Sequence, residues 1–323
     1  MSNAKTTKAL STQDFDYHLP EELIARYPLA TRSQSRLLHV CGDKFTDEQF
    51  ANLPNLLKAG DLLVLNDTKV MKARLFGKKS TGGQLEALVE RILPDVAALP
   101  TSARLDDTVF GERSVAYPYL ALCHIKASKA PKAGQLLIFG DTDSDDVANH
   151  VYACCFGRAD NLFIVGFASP ILPSLERFGE LPIPPYFERH ADDTDDTRYQ
   201  TVFHDPTKLA SVAAPTASLH FDDKILTALK NKGVEIAFVT LHVGAGTFAP
   251  VKVDDVTQHV MHAEYAHLPQ ATADKINQTK AQGGQVIAVG TTVTRTLETA
   301  HLHRQDGLLT EFSGDTQIFI YPP

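Results

Sequence analysis

One pattern occurs three times in this chain and limits its fold more than any other feature. An amphipathic helical stretch ends at a glycine and is followed at once by a short apolar run: "FANLPNLLKAG-DLLVLNDT", "DDKILTALKNKG-VEIAFVTLHVG" and "TADKINQTKAQGG-QVIAVGTT". Glycine suits the position just past a helix because it tolerates the left-handed backbone that closes the last turn. The apolar runs are short and do not alternate with polar residues, as in strands covered on both faces. The three units predict an α/β arrangement around one sheet. At 323 residues, 43% hydrophobic and 22% charged, the chain is large enough to bury such a core.

Between about residues 69 and 156 the texture changes. "ARLFGKKSTGGQLEALVERIL", "YLALCHIKASKAPKAGQLLIFG" and "HVYACCFGRADNLFIVGF" run in short β-like pieces broken by Gly, Pro and Ser. Such spacing predicts several strands joined by turns, hence a small barrel or sandwich, with "PDVAALPTSARLDDTVFGERSVAYP" as a loop within it. The expected fold is an α/β main domain with an inserted, barrel-like all-β domain. Residues 1–68 and 157–323 make the discontinuous frame and 69–156 the insert. "GELPIPPYFERHADDTDDTRYQ" is stiffened by proline and predicts an extended surface arm.

Several function classes are disfavoured. The longest apolar runs are strand-length, which argues against a membrane span. "MSNAKTTKALSTQ" has no apolar core of a secretory signal and reads as a frayed tail. The four cysteines, Cys41, Cys123, Cys154 and Cys155, form no C-x-x-C, so reduced thiols in a cytoplasmic protein are expected. A net charge of −8 argues against general coating of nucleic acid. It leaves room for local basic patches: "KVMKARLFGKK", with Lys69, Lys72, Arg74, Lys78 and Lys79, and "KASKAPK", with Lys126, Lys129 and Lys132. Solvated strand and loop faces explain both patches equally well.

Each buried strand ends in polar residues: Asn66-Asp67-Thr68, then His242 through Thr247, then Gly290-Thr291-Thr292. Ligands of open α/β sheets sit beyond the carboxyl ends of strands, so three such ends point to a shared crevice. Taken singly, each is an ordinary turn. "TLHVGAGTFAP" matches the dinucleotide pattern G-x-G-x-x-A at Gly244, Gly246 and Ala249, with Glu264 about twenty positions on. That pattern requires a helix to open at the glycines. Pro250 and the β-like "VKVDDV" follow instead, so a nicotinamide enzyme is disfavoured. The glycines then serve either a close approach of backbone to a ligand or a tight turn. In the third cluster, Thr291 and Thr292 begin a helix whose free N–H groups favour an anion. Arg295 and Glu298 lie three apart on one face of it, which an exposed ion pair also explains. "HVMHAE" places His259, His262 and Glu264 together without any established metal spacing, and no metal is expected. "VAAPTASLHF" sets His220 among small residues, a capping region or a packed site with a proton-transfer group.

These segments, together with "FDYHLPEELIARYPLATRSQSRLL", "LPIPPYFERHADDTDDTRYQTVF", "MHAEY" and "GDTQIFIYP", lie in order from about residue 14 to the end. Jointly they resemble the S-adenosylmethionine:tRNA ribosyltransferase-isomerase family of queuosine biosynthesis. Two departures stand out: Ser218 occupies a position that is usually Gly, and the chain stops at "IYPP" before a further segment seen in that family.

The resemblance implies a cytoplasmic tRNA-modifying transferase that uses S-adenosyl-L-methionine as co-substrate and no metal. It transfers and isomerises the ribosyl moiety onto 7-aminomethyl-7-deazaguanine at the wobble position of tRNA with a GUN anticodon. Epoxyqueuosine-tRNA, adenine and methionine result. The sulfonium acidifies the C5′ hydrogens, a base takes one, adenine leaves, the tRNA amine attacks, and epoxide closure expels methionine.

Catalytic candidates are His220 or His242 as the base, with Asp67 as its carboxylate partner or as the alternative base. Asn66, Thr68, Thr216, Gly244, Gly246, Thr247, Thr291, Thr292 and Arg295 are expected around the nucleoside and the methionine carboxylate. Tyr186 and Tyr199 are expected to stack on adenine or the tRNA base, and Arg189, Lys69, Arg74, Lys78 and Lys79 to meet tRNA. A monomer is expected. A non-catalytic RNA-binding module on the basic β region is the rival from another class, and it leaves the polar strand ends unexplained.

Overall fold

Residues 10–322 are described by a computed structural model; residues 1–9, most of the polar N-terminal stretch, and residue 323 lie outside it. The three helix–glycine–strand units meet in one five-stranded sheet. Its order is Val286–Ala288, Leu62–Asn66, Glu235–Leu241, Glu264–Leu268, Phe312–Thr316. The first three strands run parallel and the last two pair antiparallel. At the end of each unit's helical stretch a glycine holds positive φ: Gly60 at 87°, Gly233 at 84° and Gly283 at 79°.

Leu62–Asn66 is buried along its whole length, which explains its lack of alternation. Leu62 and Val64 pack with Val239, Ile276 and Val293, under helices Gln270–Ala281 and Gly290–Leu302. Leu63 and Leu65 pack with Phe50, Phe221, Ile225 and Leu229, under helix Asp223–Asn231. Asp222 caps that last helix by accepting from the Ile225 N–H at 3.0 Å.

The second body is a closed antiparallel barrel. Its strands are Arg74–Lys79, Gln84–Leu93, Tyr119–Ala127, Leu136–Gly140, His150–Ala159 and Leu162–Phe167, and the last two pair with each other. The α/β frame with a small all-β barrel is thus the fold. The barrel's last two strands lie across and beyond residue 156, where the texture of the sequence placed the end of the insert. The expected loop after Leu93 contributes a short strand, Ala103–Leu105, paired to the barrel, and a helix, Asp107–Arg113.

The proline-rich segment is not a surface arm. Leu181 and Ile183 are buried with Val70, Tyr199 and Ala214 in a small core of their own. Apolar residues spaced between prolines served packing, and their polar flanks had masked it. "VKVDDV" forms no strand; Asp255 makes only an isolated bridge with Ser11.

Candidate active site

A cavity of about 330 Å³ opens where the barrel meets the carboxyl end of the sheet. Frame residues His242, Val243, Gly244, Glu264, Tyr265 and Asp315 line it, facing Met71, Glu90, Arg91 and Ile92, the last three from barrel strand Gln84–Leu93.

His242 follows directly on the strand Glu235–Leu241. Its Nδ1 lies 2.8 Å from Thr68 Oγ1, and its ring stacks on Tyr265 at 5.8 Å between centroids. Burial pushes the imidazole down to about 4, against an opposing pull from Asp67 and with a smaller push from Lys208 and Arg91. It is therefore neutral at ordinary pH and has a lone pair to offer.

The residues before it hold it there. Asn66 locks neighbouring strand ends together, donating to Leu241 O at 3.0 Å and accepting from Leu241 N at 3.1 Å. Asp67 is committed through both oxygens, to Thr240 Oγ1 at 2.8 Å and Lys208 Nζ at 2.5 Å. A carboxylate held in this way orients and polarises its surroundings. Of the two roles open to it, partner of the base or base itself, these contacts favour the partner.

The glycines of "HVGAGT" lead into a single 3-10 turn, Ala245–Phe248, so no helix opens there. Each has a steric cause. A Cβ on Gly244 would lie 2.2 Å from Glu90 Oε1, and one on Gly246 would lie 2.4 Å from the His262 ring. Thr247 is exposed on that turn.

Behind the cavity wall sits a buried ion pair. Glu264 accepts from Gly244 N at 2.9 Å and lies 3.0 Å from His262 Nε2, while its other oxygen pairs with Arg295 Nη1. Arg295 also donates to the carbonyls of His262 and Thr316, at 2.8 and 3.0 Å. Burial lowers its pKa and Glu264 opposes that. At 7% exposure Arg295 cannot hold a ligand carboxylate, nor does it pair with Glu298; it fixes the cavity wall from behind.

The remaining candidates fall elsewhere. His220 ends the turn Thr216–His220 and packs on Phe50, 5.4 Å between centroids, in the region covered by helix Asp223–Asn231. That turn meets the start of helix Gly290–Leu302, where a Gly290 Cβ would lie 3.0 Å from Ala217 Cβ. Thr216 and Thr291 are exposed there, and the buried hydroxyls of Ser218 and Thr292 have no hydrogen-bond partner among the described residues. His220 and His242 therefore belong to two separate groupings at the strand ends.

Tyr199 is 3% exposed, so its ring is unavailable to a base, and burial pushes its phenol upward. Tyr186 is 52% exposed and remains free to stack. Arg189 binds Asp195 through two bonds of 2.6 and 2.9 Å and lies over the Tyr27 ring, a structural clamp rather than a phosphate ligand.

Lys78 and Lys79 point opposite ways because they are consecutive in a strand. Lys79 shares the inward side with Leu75, is 7% exposed and donates to Lys129 O at 2.9 Å, so it does not meet phosphates. Lys78 donates to Thr142 O at 2.6 Å, Arg74 pairs with Glu86 at 3.1 Å, and Lys69 is half-buried in a two-residue strand. Lys126, Lys129 and Lys132, by contrast, are exposed together. Among the described residues no group of three or more His, Cys, Asp or Glu side chains could hold a metal, and no helix is long and apolar enough to cross a membrane.

Several cavity residues escape sequence reasoning, among them Glu90, Arg91 and Asp315. Glu90 and Arg91 stand in "VERIL", which reads as an ordinary strand face, and Asp315 stands in "GDTQ", which follows none of the three helix–glycine–strand units.

The chain matches the Queuosine biosynthesis protein family over residues 12–323. It is 59% identical over 329 residues to the S-adenosylmethionine:tRNA ribosyltransferase-isomerase of Psychrobacter sp. (strain PRwf-1), covering 99% of this chain and 80% of that one. It is 54% identical over 314 residues to the protein of that name from Acinetobacter baumannii (strain ATCC 17978), covering 97% and 82%. A solved S-adenosylmethionine tRNA ribosyltransferase from Thermotoga maritima is 29% identical, aligning over 96% of this chain and 80% of that one with a TM-score of 0.41.

Proposed function

The chain belongs to the Queuosine biosynthesis protein family and is an enzyme of the S-adenosylmethionine:tRNA ribosyltransferase-isomerase kind, and we propose that its reaction runs in the cavity beside His242. The substrates are S-adenosyl-L-methionine and tRNA with a GUN anticodon carrying 7-aminomethyl-7-deazaguanine at the wobble position. The products are epoxyqueuosine-tRNA, adenine and methionine. The protein works as a cytoplasmic monomer and without a metal.

The observation that carries this reading is a neutral imidazole at a strand end, oriented by Thr68 and open to a cavity shared by barrel and sheet. A sulfonium acidifies the hydrogens on the adjacent C5′. With Nδ1–H donated to Thr68 Oγ1, Nε2 of His242 carries the lone pair that takes one of them. Asp67, held between Thr240 and Lys208, stabilises the imidazolium that forms. Adenine then leaves C1′ with a proton, the tRNA amine attacks the sugar, and epoxide closure at C5′ expels methionine.

Thr291, exposed at the start of helix Gly290–Leu302, suits the methionine carboxylate. Tyr186 suits the tRNA base, and Lys126, Lys129 and Lys132 its phosphates. The test is to incubate the protein with S-adenosylmethionine and precursor-bearing tRNA and to measure free adenine by chromatography. Adenine release that depends on the aminomethyl precursor is expected. Turnover with neither adenine nor methionine formed would remove the assignment.

A further inference from the structure

We propose that Glu90, from the barrel, is the counter-charge that recognises the sulfonium of S-adenosylmethionine, so the barrel selects the charged nucleoside over its neutral thioether. The inference rests on the reading of the cavity given above.

Glu90 lies at a break in the register of its strand. Val89 pairs with Cys123 and Arg91 with Leu122, which leaves Glu90 as the extra residue of a β-bulge. Bulges bend a strand and re-aim a side chain, and they gather beside functional sites. Here the bulge sets a carboxylate, 15% exposed, against the turn that follows His242. Oε2 accepts from Ala245 N at 2.8 Å. His124 Nε2 stands 3.7 Å from the same oxygen, and that imidazole is half-exposed. Oε1 makes no hydrogen bond among the described residues and occupies the space that a side chain on Gly244 would need.

The other charges on the cavity wall are already matched. Arg91 faces Asp315 at 3.4 Å, and Glu264 is tied to Arg295. Glu90 is the carboxylate with an oxygen to spare. Met71, Ile92 and Leu209 flank the same space, and apolar surroundings strengthen the attraction between a carboxylate and a fixed positive charge. A sulfonium accepts no hydrogen bond and donates none, so charge is the property by which a protein can tell it from a thioether. The bond from Glu90 to Ala245 also fastens barrel to sheet, and so ties charge recognition to the junction of the two bodies.

Glu90→Gln tests this. Gln keeps the shape and an oxygen for the Ala245 N–H while removing the charge. Binding of S-adenosylmethionine and of S-adenosylhomocysteine is measured by calorimetry for the wild-type protein, Glu90→Gln and Glu90→Asp, without tRNA. The expected result is a loss of about tenfold or more in S-adenosylmethionine affinity for Glu90→Gln, with S-adenosylhomocysteine changed less than about twofold. Glu90→Asp keeps the charge and retains the preference. Equal losses for both ligands in Glu90→Gln, or no loss for either, would overturn the proposal while leaving the cavity reading intact. A wild-type protein that binds neither ligand would overturn both.

Discussion

Thr68 Oγ1 stands 2.8 Å from Nδ1 of His242, joining the end of one parallel strand to the end of its neighbour. This contact selects which ring nitrogen faces the cavity. Thr68→Val removes the hydroxyl and keeps the shape, leaving Nδ1 unpaired in a half-buried place. Losing one such bond is worth about 1–1.5 kcal/mol, so the unfolding midpoint should fall by a few degrees and, if the bond also orients the base, kcat should fall about tenfold. An unchanged kcat would show that the hydroxyl does not orient the base.

His242 also imposes a pH dependence on stability. Burial holds it at about 4 in the folded protein, against an ordinary 6.5. Between those values the unfolded chain binds the extra proton, so this contribution is full above about pH 6.5 and is lost as pH falls toward 4. The difference amounts to about 3 kcal/mol. Urea titrations across that range should show the decline, and His242→Gln should flatten it. Parallel curves for the two proteins would contradict the depressed value.

Gly244→Ala tests the fit between turn and barrel. The backbone there has φ of −85°, which any residue adopts, so no backbone strain is introduced. The new methyl group would collide with Glu90 Oε1 and push that carboxylate aside. A displacement of this size beside the reacting groups costs about a hundredfold in kcat/KM. Near-wild-type kinetics would mean that the position of Glu90 is immaterial to turnover.

Glu264→Gln or Arg295→Met breaks the ion pair behind the cavity and strands its partner. Removing one member of a buried pair costs about 3–5 kcal/mol. Either change should lower the denaturation midpoint sharply. A variant as stable as wild type would show that the pair is dispensable to the wall.

Replacing Lys126, Lys129 and Lys132 by Ala together should weaken tRNA binding and make it less sensitive to salt. Each lost phosphate contact flattens the slope of log affinity against log salt by about 0.7–0.9. Lys79→Ala should leave that slope unchanged, because the side chain is buried and its ammonium is already bound to Lys129 O. The reverse pattern would restore the "KVMKARLFGKK" patch to the interface.

Much of this was legible in the chain. The helix–glycine–strand units could be read because a left-handed glycine and an unalternating apolar run are local requirements. The polar ends at Asn66-Asp67-Thr68 and His242 were visible because they follow those strands directly. The accidental dinucleotide match was also local: no helix opens after Gly246. What could not be read depends on partners distant in sequence. Glu90 reaches its turn across 155 positions, through a bulge that leaves no mark in composition. Arg295 looked free to bind an anion until Glu264 and two carbonyls were seen to occupy it. Tyr199 and Lys79 carry polar tips, and only packing shows that both are buried.

Two histidines were candidates for the base, and the structure separates them. The decisive measurement is single-turnover release of adenine from S-adenosylmethionine in the presence of precursor-bearing tRNA, for His242→Ala and His220→Ala. With the cavity as the site of reaction, His242→Ala should release no adenine above background and His220→Ala should release it at a rate within about tenfold of wild type. Full activity in His242→Ala, with loss confined to His220→Ala, would move the chemistry to the turn beside Gly290 and contradict the assignment of the cavity.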